Sequence, residues 1–314
     1  MGISLSNQIM SNKRNPTAYL ELHSAVFLFG FTGILGKLIT LDAGLLVWHR
    51  LWMTAVLMFI YVKFIGRFRI LPWREFLQIG MISLAIVFHW ILFYGSIKLA
   101  NVSVAMICLS SITLFTAILE PIFFRRKISG PQIVFSLLVI VGVSFMATDQ
   151  QEHIVGILVG LASAFFSALF TVFNKSIVNR YDSRLLSLYE MSLGFILLTL
   201  FMPLVNLWFP QGSWLPISSD WGYLFLLSLF CTVIAFNLSL SSLRSLSAFT
   251  VNLAINLEPV YGIALAFIVF QEHKLLGSGF YIGAVLIMST VVGEVLWKRS
   301  KEKKELNKEI LPES

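Results

Sequence analysis

Charged residues are rare in this sequence, and four ionisable ones lie deep inside long apolar runs. Glu258 stands in such a run directly before Pro259, while Arg50, His89 and Glu190 each lie within another. An ionisable group among apolar residues is energetically costly, and in a membrane it marks a path or a site for a substrate or an ion. A carboxyl or an imidazole at such a place can exchange protons, and a guanidinium can bind an anionic group.

The composition indicates that the surroundings of these groups are a membrane. Hydrophobic residues make up 57% of the 314 residues and charged residues only 12%, and the mean hydropathy is +0.84. Each helical span needs roughly 20 apolar residues to cross about 30 Å of hydrocarbon. The apolar runs therefore predict an all-α integral membrane protein with ten transmembrane helices, at 18–40, 44–65, 75–97, 101–124, 131–148, 153–174, 184–209, 221–243, 247–270 and 275–297.

The positive charges indicate how these spans are oriented. Of the 23 Lys and Arg residues, two lie at one set of span ends (Lys98 and Lys274), Lys37 and Arg50 lie within spans, and all others lie at the opposite ends. Because Lys and Arg accumulate on the cytoplasmic side, we expect both termini to be cytoplasmic, with an N-terminal segment at 1–17 and a basic tail at 298–314. The net charge of +7 is thereby explained by topology, and we expect no nucleic-acid partner.

The chain also shows traces of an internal repeat. A polar stretch at 148–153 separates two halves of five spans each, 18–148 and 153–297. An odd number of spans per half inserts the second half upside down, as in inverted-repeat transporters. Three positions correspond in the same order in both halves: Gly36-Lys37 with Asn174-Lys175, Arg50 with Glu190, and Tyr94 with Asn237. We therefore predict two inverted five-helix repeats.

Glu258 is the first candidate for substrate binding or ion coupling. At 1.5 Å per residue it lies about 16 Å into the ninth span, near the midplane, and Pro259 interrupts the helical hydrogen bonds there. Carboxyls beside helix breaks at this depth bind substrates and coupling ions in inverted-repeat folds. The alternative is a carboxylic acid that stays protonated and bonds to a neighbouring helix.

Arg50 and Glu190 lie about 9 Å into their spans, but from opposite faces. They are then about 12 Å or more apart along the membrane normal, and no direct salt bridge is expected. We expect Arg50 to organise the outer end of a cavity and Glu190 its inner end. The alternative for both is a side chain that reaches an interface or bonds helix carbonyls. Lys37, Glu120 and Lys175 lie nearer span ends, where a charge reaches headgroups, and we expect them to be structural.

His89 lies in the outer half of the third span, with Trp90 and Tyr94 close to it in sequence. The imidazole can take up protons or bond a substrate carboxylate. The aromatic residues can form the wall of a pocket for amphipathic metabolites or bind a cation. A buried structural histidine is the competing interpretation.

Three asparagines complete the candidate site. Asn237 is the repeat counterpart of Tyr94. Asn252 and Asn256 share one face of the ninth span, about 160° from Glu258, so the amides and the carboxyl face one cavity only if Pro259 distorts the span. Such amides more often hold neighbouring helices together.

Several short motifs carry a resemblance to a known family. They are Trp48-His49-Arg50, the runs His89–Ile97 and Asn101–Ala105, Ala235-Phe236-Asn237, Leu257-Glu258-Pro259-Val260 and Gln271-Glu272. On these motifs the chain, from about 18 to 297, resembles the EamA-type branch of the drug/metabolite transporter superfamily. The resemblance implies ten helices in two inverted repeats around a cavity lined by spans 1–4 and 6–9. One departure is Ile112-Thr113 in span 4, where many relatives have a proline.

The function we expect is secondary active transport by alternating access. The resemblance implies export of a small metabolite, an amino acid or an amphipathic drug-like amine, driven by its own gradient or by proton exchange. Import or facilitated passage of another metabolite on the same fold is the alternative, followed by a membrane-embedded enzyme or a lipid scramblase. An enzyme would need clustered acidic and histidine residues at one interface, and none occurs in the sequence.

The remaining expectations concern partners and location. The sequence has no Gly-rich phosphate loop or Cys/His metal spacing, so we expect no cofactor and no metal. The expected partners are the small-molecule substrate and the lipid bilayer, and the chain is expected to act as a monomer or a homodimer. The short loops and the EamA-type resemblance favour a multi-pass protein of a prokaryotic inner membrane.

Overall fold

The computed structural model describes residues 16–125, 130–149, 151–208 and 212–310, and in this part of the chain all regular secondary structure is helical, without strands. Residues 1–15 of the predicted segment 1–17 and residues 311–314 of the predicted tail 298–314 lie outside the described residues. Eight helices are long and apolar enough to cross a membrane: Pro16–Leu38, Ala43–Phe64, Trp73–Leu99, Val102–Phe123, Ile154–Ile177, Ser183–Val205, Ser218–Ser245 and Ala248–Phe270. They coincide with predicted spans 1–4 and 6–9, and are numbered accordingly.

Predicted spans 5 and 10 are also helical, but their apolar stretches are shorter. They correspond to helices Gly130–Asp149 and Ser278–Ile310, with apolar segments Leu137–Met146 and Ser278–Thr290. The two helices pack directly on each other, since a Cβ at Gly142 would lie 2.9 Å from the Gly283 carbonyl oxygen. The count of ten membrane crossings, the inverted repeat and the cytoplasmic termini stay predictions.

Four of the spans are interrupted near their middle. Span 1 breaks between helices Pro16–Phe29 and Thr32–Leu38. Span 9 breaks directly before Glu258, where Pro259, which has no N–H to donate, starts the helix Glu258–Phe270. The other two breaks lie in spans 4 and 8.

Span 4 breaks at Ser110-Ser111, between helices Val102–Leu109 and Ile112–Phe123. It therefore breaks although Ile112-Thr113 stand where many relatives have a proline. Span 8 contains a π-helical turn, Leu229–Ile234. Breaks of this kind are tolerated at membrane depth where the freed backbone is buried in protein or lines a cavity.

Span 1 approaches spans 3 and 4 through two glycines. A Cβ at Gly36 would overlap the ring of the fully buried Tyr94, and a Cβ at Gly33 would lie 2.9 Å from a methyl group of Val102. Small residues let helix backbones approach closely in membranes. The position of Tyr94 therefore depends on the absence of a side chain at Gly36.

The N-terminus of span 4 is bound by a carboxylate from the end of span 9. Glu272, fully buried, accepts hydrogen bonds from Val102 N (3.1 Å), Ser103 N (2.8 Å) and Ser103 Oγ (2.6 Å). Lys37 Nζ lies 2.7 Å from Glu272 Oε1. We call this group the Glu272 cap (Lys37, Val102, Ser103 and Glu272), and it joins spans 1, 4 and 9.

A second carboxylate binds the N-terminus of span 9. The Phe249 N–H donates to Glu120 Oε2 of span 4 at 2.8 Å, a contact we call the Glu120 cap. Nearby, Lys175 Nζ donates to the carbonyls of Leu243 (2.8 Å) and Leu246 (2.7 Å). Lys37, Glu120 and Lys175 are thus structural, as expected, but through contacts with protein groups.

Gly36→Ala is expected to lower the apparent melting temperature in detergent, because its Cβ overlaps Tyr94 and such overpacking costs about 1–3 kcal/mol. Gly80→Ala is the matched control, since nothing lies within 4 Å of a Cβ at that helical position. There the substitution is neutral or slightly stabilising. Equal effects of the two variants would contradict the close packing at Gly36.

Glu272→Gln is expected to remove about 2–4 kcal/mol from the free energy of unfolding, because it removes an ion pair and weakens charge-assisted hydrogen bonds. Burial by itself raises the pKa of Glu272, but hydrogen bonds from Lys37 and Ser103 outweigh burial and hold that pKa below its ordinary value of 4.5. The carboxylate therefore stabilises the fold at neutral pH, and this contribution is lost as the pH falls through the lowered pKa.

The measurement is thermal unfolding of wild type and Glu272→Gln between pH 3 and pH 8. The two curves should differ fully at neutral pH and converge below pH 4.5. Glu152→Gln, which changes an exposed carboxylate in the turn Gln151–His153, is the control. A difference between wild type and Glu272→Gln that is independent of pH would contradict the assignment.

Candidate substrate-binding site

A cavity of about 50 Å³ lies among the broken spans. It has room for only a few water molecules. Its lining comes from spans 1–4, 6, 8 and 9: Phe29, Thr32, Arg50, His89, Trp90, Phe93, Leu109, Ser167, Phe170, Phe236, Ile255 and Glu258. Most of this wall is apolar, and a cation and a carboxyl group face the same space.

Arg50 is 2% exposed and is held by three neutral oxygens and a ring. Its Nε donates to Thr232 Oγ1 (2.9 Å), Nη1 to the Tyr94 hydroxyl (2.8 Å) and Nη2 to the Cys231 carbonyl (3.4 Å). The guanidinium carbon lies 3.7 Å from the centre of the Trp90 ring. These contacts fix the orientation of the guanidinium across spans 2, 3 and 8.

The π-helical turn of span 8 supplies two of these contacts. In a π-turn the backbone bonds are displaced by one residue, which frees acceptors that a regular helix would use. The turn Leu229–Ile234 places the Cys231 carbonyl and the Thr232 hydroxyl against Arg50. Thr232 was not among the sequence candidates, because nothing in an unbroken apolar run signals a π-turn.

Arg50 has no carboxylate at ion-pair distance. Within the described residues one ion pair lies within 4.0 Å, between Lys37 and Glu272. Arg50 and Glu190 are therefore not salt-bridged, as their depths predicted. A buried guanidinium that is bound only by neutral groups keeps its positive charge available to an anionic ligand.

Glu258 lies on the wall of the same cavity and is 6% exposed. It is the first residue of the helix Glu258–Phe270, where the helix dipole favours a negative charge. The Thr32 hydroxyl lies 3.1 Å from Glu258 Oε1 and 2.6 Å from the Phe29 carbonyl oxygen. Thr32 was also missed from the sequence, because the break in span 1 that precedes it is seen in the structure and has no proline to indicate it.

His89 both bonds a neighbouring span, as a structural histidine does, and lines the cavity, as a substrate-binding histidine does. Its Nδ1 lies 2.9 Å from Ser163 Oγ and 3.1 Å from Ser163 O in span 6, and the ring lines the cavity. Because Ser163 Oγ donates to the His89 carbonyl, we infer that Nδ1 carries the proton and donates to Ser163. A neutral His89 then has Nε2 as the acceptor that can meet a substrate.

The other candidates lie behind the cavity wall or away from it, except for Trp90, which lines it. Tyr94 is fully buried behind Arg50 and positions it. Asn237 donates to the Val233 carbonyl (2.7 Å) and to the Met58 sulfur (3.2 Å).

The amides of span 9 bind span 4. Asn252 Nδ2 donates to Thr116 Oγ1 (2.7 Å) and Asn256 Nδ2 to Thr113 Oγ1 (3.2 Å). They hold the two broken spans together and do not line the cavity, in line with the alternative role given for such amides. Glu190 lies fully buried in span 7 beside Asn174, also outside the lining.

Comparison with known proteins agrees with a membrane transporter. An uncharacterized transporter of Archaeoglobus fulgidus is 30% identical over 117 residues, which are 37% of this chain and 42% of that protein. The uncharacterized transporter YxxF of Bacillus subtilis is 26% identical over 271 residues, covering 82% of this chain and 83% of that protein. One solved crystal structure aligns with a TM-score of 0.66 at 16% identity and covers 91% of this chain and 99% of that chain. This match shows a similar fold.

The family comparison covers nearly the whole chain in two successive segments. The EamA-like transporter family matches residues 17–148 and again residues 154–293. The protein is therefore a multi-pass membrane transporter, and it belongs to the EamA-like transporter family.

Proposed function

We propose that this transporter is a secondary carrier that exports amino acids with apolar or aromatic side chains across a prokaryotic inner membrane by alternating access. The observation that carries the proposal is the presence of Arg50 and Glu258 on one aromatic cavity. Export and the inner membrane rest on the family resemblance and on the charge asymmetry of the loops.

The charges of the cavity complement both ends of an amino acid. Arg50 offers a planar guanidinium without a carboxylate partner at ion-pair distance in the described chain, and such a group binds carboxylates strongly. Glu258 and Nε2 of His89 are acceptors for an ammonium group. A substrate with both groups neutralises both charges of the cavity.

The rest of the wall selects for an apolar side chain. Phe93, Phe170 and Phe236 line the cavity beside Trp90. Phe170 lies 5.6 Å from His89 and 6.2 Å from Phe236, measured between ring centres. Aromatic walls of this kind bury apolar groups and stack on rings.

Alternating access is supported by the two caps at opposite ends of spans 4 and 9. The Glu272 cap joins spans 1, 4 and 9 at the end predicted to face outward, and the Glu120 cap joins spans 4 and 9 at the predicted cytoplasmic end. The cavity is too small for an amino acid as it stands, so transport requires it to widen. Opening at one cap while the other stays closed would expose the cavity to one side at a time, with the span breaks as hinges.

A second candidate substrate is an amphipathic amine without a carboxylate. Glu258 and the aromatic wall would suffice for it. The buried charge of Arg50 disfavours a purely cationic ligand, because the two positive charges would repel each other in a medium of low dielectric constant. In this proposal the carrier acts as a monomer or a homodimer.

Arg50→Gln is expected to raise the KM for a zwitterionic amino acid about 10- to 100-fold, since a charge-assisted hydrogen bond contributes roughly 1.5–3 kcal/mol. The assay is counterflow of leucine and phenylalanine in proteoliposomes, with phenethylamine as the matched ligand that lacks the carboxylate. Glu258→Gln should weaken both ligand types, while Glu152→Gln, which changes an exposed carboxylate, should leave them unchanged.

Arg50→Lys tests whether loss of folding explains the result, because it keeps the charge and should retain part of the activity. Ligand-induced thermal stabilisation provides a second reading that does not need transport. Phenethylamine counterflow equal to that of phenylalanine, and unaffected by Arg50→Gln, would replace the amino-acid proposal by the amine alternative.

A further inference from the structure

A second group of buried polar side chains lies between spans 2, 6 and 7. Glu190, Asn174, Ser187 and Thr54 are fully buried. The Asn174 side chain lies within hydrogen-bonding reach of the Glu190 carboxyl, but neither group has a partner at normal hydrogen-bond geometry in the described chain, and the hydroxyls of Ser187 and Thr54 are likewise unbonded. Buried polar groups are nearly always bonded, so this group of incompletely bonded oxygens is a candidate site for a small ligand.

The packing of span 7 on span 2 brings Glu190 and Thr54 to one level, and Asn174 of span 6 lies beside Glu190. Trp48 donates to Thr199 (2.9 Å) near one end of the pair, and Arg184 lies over the Tyr61 ring near the other end, so the two spans run antiparallel. This register puts Glu190 about one turn or less from Thr54. Ser187 lies on the same face of span 7 as Glu190, three residues earlier.

The group is adjacent to the substrate cavity but separate from it. No described residue of span 7 lines the cavity. Thr54 follows Arg50 by one helical turn, and Asn174 follows Phe170 by one turn. The group therefore lies about 6 Å from the cavity wall, toward the predicted cytoplasmic end.

The charge of Glu190 is not balanced by a neighbouring basic residue. No Lys or Arg of the described chain lies within 4.0 Å of it, and the ammonium of Lys175, next to Asn174 in sequence, is bound to two carbonyls. A carboxylate buried at membrane depth must be neutralised. Carboxylate, amide and hydroxyl oxygens are the ligands of H⁺ and Na⁺ in inverted-repeat carriers.

Other titratable groups of the spans that pack on span 7 have partners of their own: His49 of span 2 lies 3.0 Å from the Trp214 carbonyl, Lys98 of span 3 donates to the Ile39 carbonyl, and Asp220 of span 8 accepts from Thr40. Span 2 carries Arg50, which binds Tyr94 and Thr232, and span 3 carries His89, which binds Ser163. Span 8 carries Arg244 near its end.

We propose that Glu190 and Asn174, with Ser187 and Thr54, form a cation site that takes a proton or a sodium ion and couples it to transport. The proposal rests on the proposed function and names its driving ion. It is supported by the repeat positions predicted from the sequence. In the first half, Tyr94 contacts both Gly36 and Arg50. The predicted counterparts in the second half are Asn237, Asn174 and Glu190. A carboxylate, Glu190, therefore stands where the first half has the cation of Arg50.

The test compares wild type, Glu190→Gln and Asn174→Ala in proteoliposomes under an imposed pH gradient, an imposed Na⁺ gradient, or neither. In wild type one of the gradients should drive leucine accumulation above the level of simple exchange. In Glu190→Gln exchange should persist, while the ratio of gradient-driven to gradient-free flux falls to about 1. Asn174→Ala should reduce this ratio in the same direction, and Glu152→Gln should not change it.

The ion is the one whose gradient drives leucine accumulation in wild type but not in Glu190→Gln. Full gradient stimulation in Glu190→Gln, or none by either gradient in a wild type that exchanges leucine, would overturn the proposal. If leucine is not transported at all, the melting temperature is the independent reading. A wild-type shift with NaCl against choline chloride, or with pH, that disappears in Glu190→Gln supports the site, and its absence under both conditions overturns it.

Discussion

The arrangement of the bundle depends on the burial of Arg50, because a guanidinium at membrane depth must be surrounded by acceptors. Tyr94 of span 3 and the π-turn of span 8 supply those acceptors, and Trp90 covers the face of the guanidinium. Tyr94 reaches Arg50 only because Gly36 leaves room for its ring. One charged side chain thus fixes the mutual positions of spans 1, 2, 3 and 8, and the cavity forms where they meet.

Span breaks and caps follow from the same constraint on backbone groups. A helix that is interrupted inside the bilayer leaves N–H and C=O groups that need partners within the protein. The first N–H groups of a helix likewise lack partners within the helix, and Glu272 accepts from two of them at the start of span 4, while Glu120 accepts from one at the start of span 9. Each of the two spans therefore carries the carboxylate that the other one needs. This reciprocity joins the two halves of the chain at both ends of spans 4 and 9 while the middle of each span stays broken, and the proposed opening at alternate ends relies on this arrangement.

Much of the fold and part of the candidate site could be predicted from the sequence. What could not be predicted depends on how the spans pack on each other and on local backbone geometry. Apolar length gave the eight principal spans, and Pro259 indicated the break before Glu258, because both depend on local sequence alone. The sequence placed Arg50 and Glu258 at different depths as cavity candidates but could not show that both face the same space, since depth along a span does not determine which way a side chain faces. The roles of Asn252 and Asn256 depend on the register between spans 4 and 9. The contact of Thr232 with Arg50 depends on a π-turn that has no local signature.

Glu258 and Glu190, two of the buried carboxyl groups of the bundle, show how the surroundings of identical side chains determine what each of them can bind. Glu258 begins a helix, accepts a hydrogen bond from Thr32 and shares a cavity with Arg50. Its charge is thus partly balanced by the protein, and it is accessible to a substrate that brings an ammonium group. Glu190 lies among neutral amide and hydroxyl groups in the interior of spans 2, 6 and 7. In the proposed site, such a carboxyl is neutralised by a small cation that keeps few other ligands. A carrier that binds an organic solute at one carboxyl and a small cation at the other has the means to make the movement of each depend on the other.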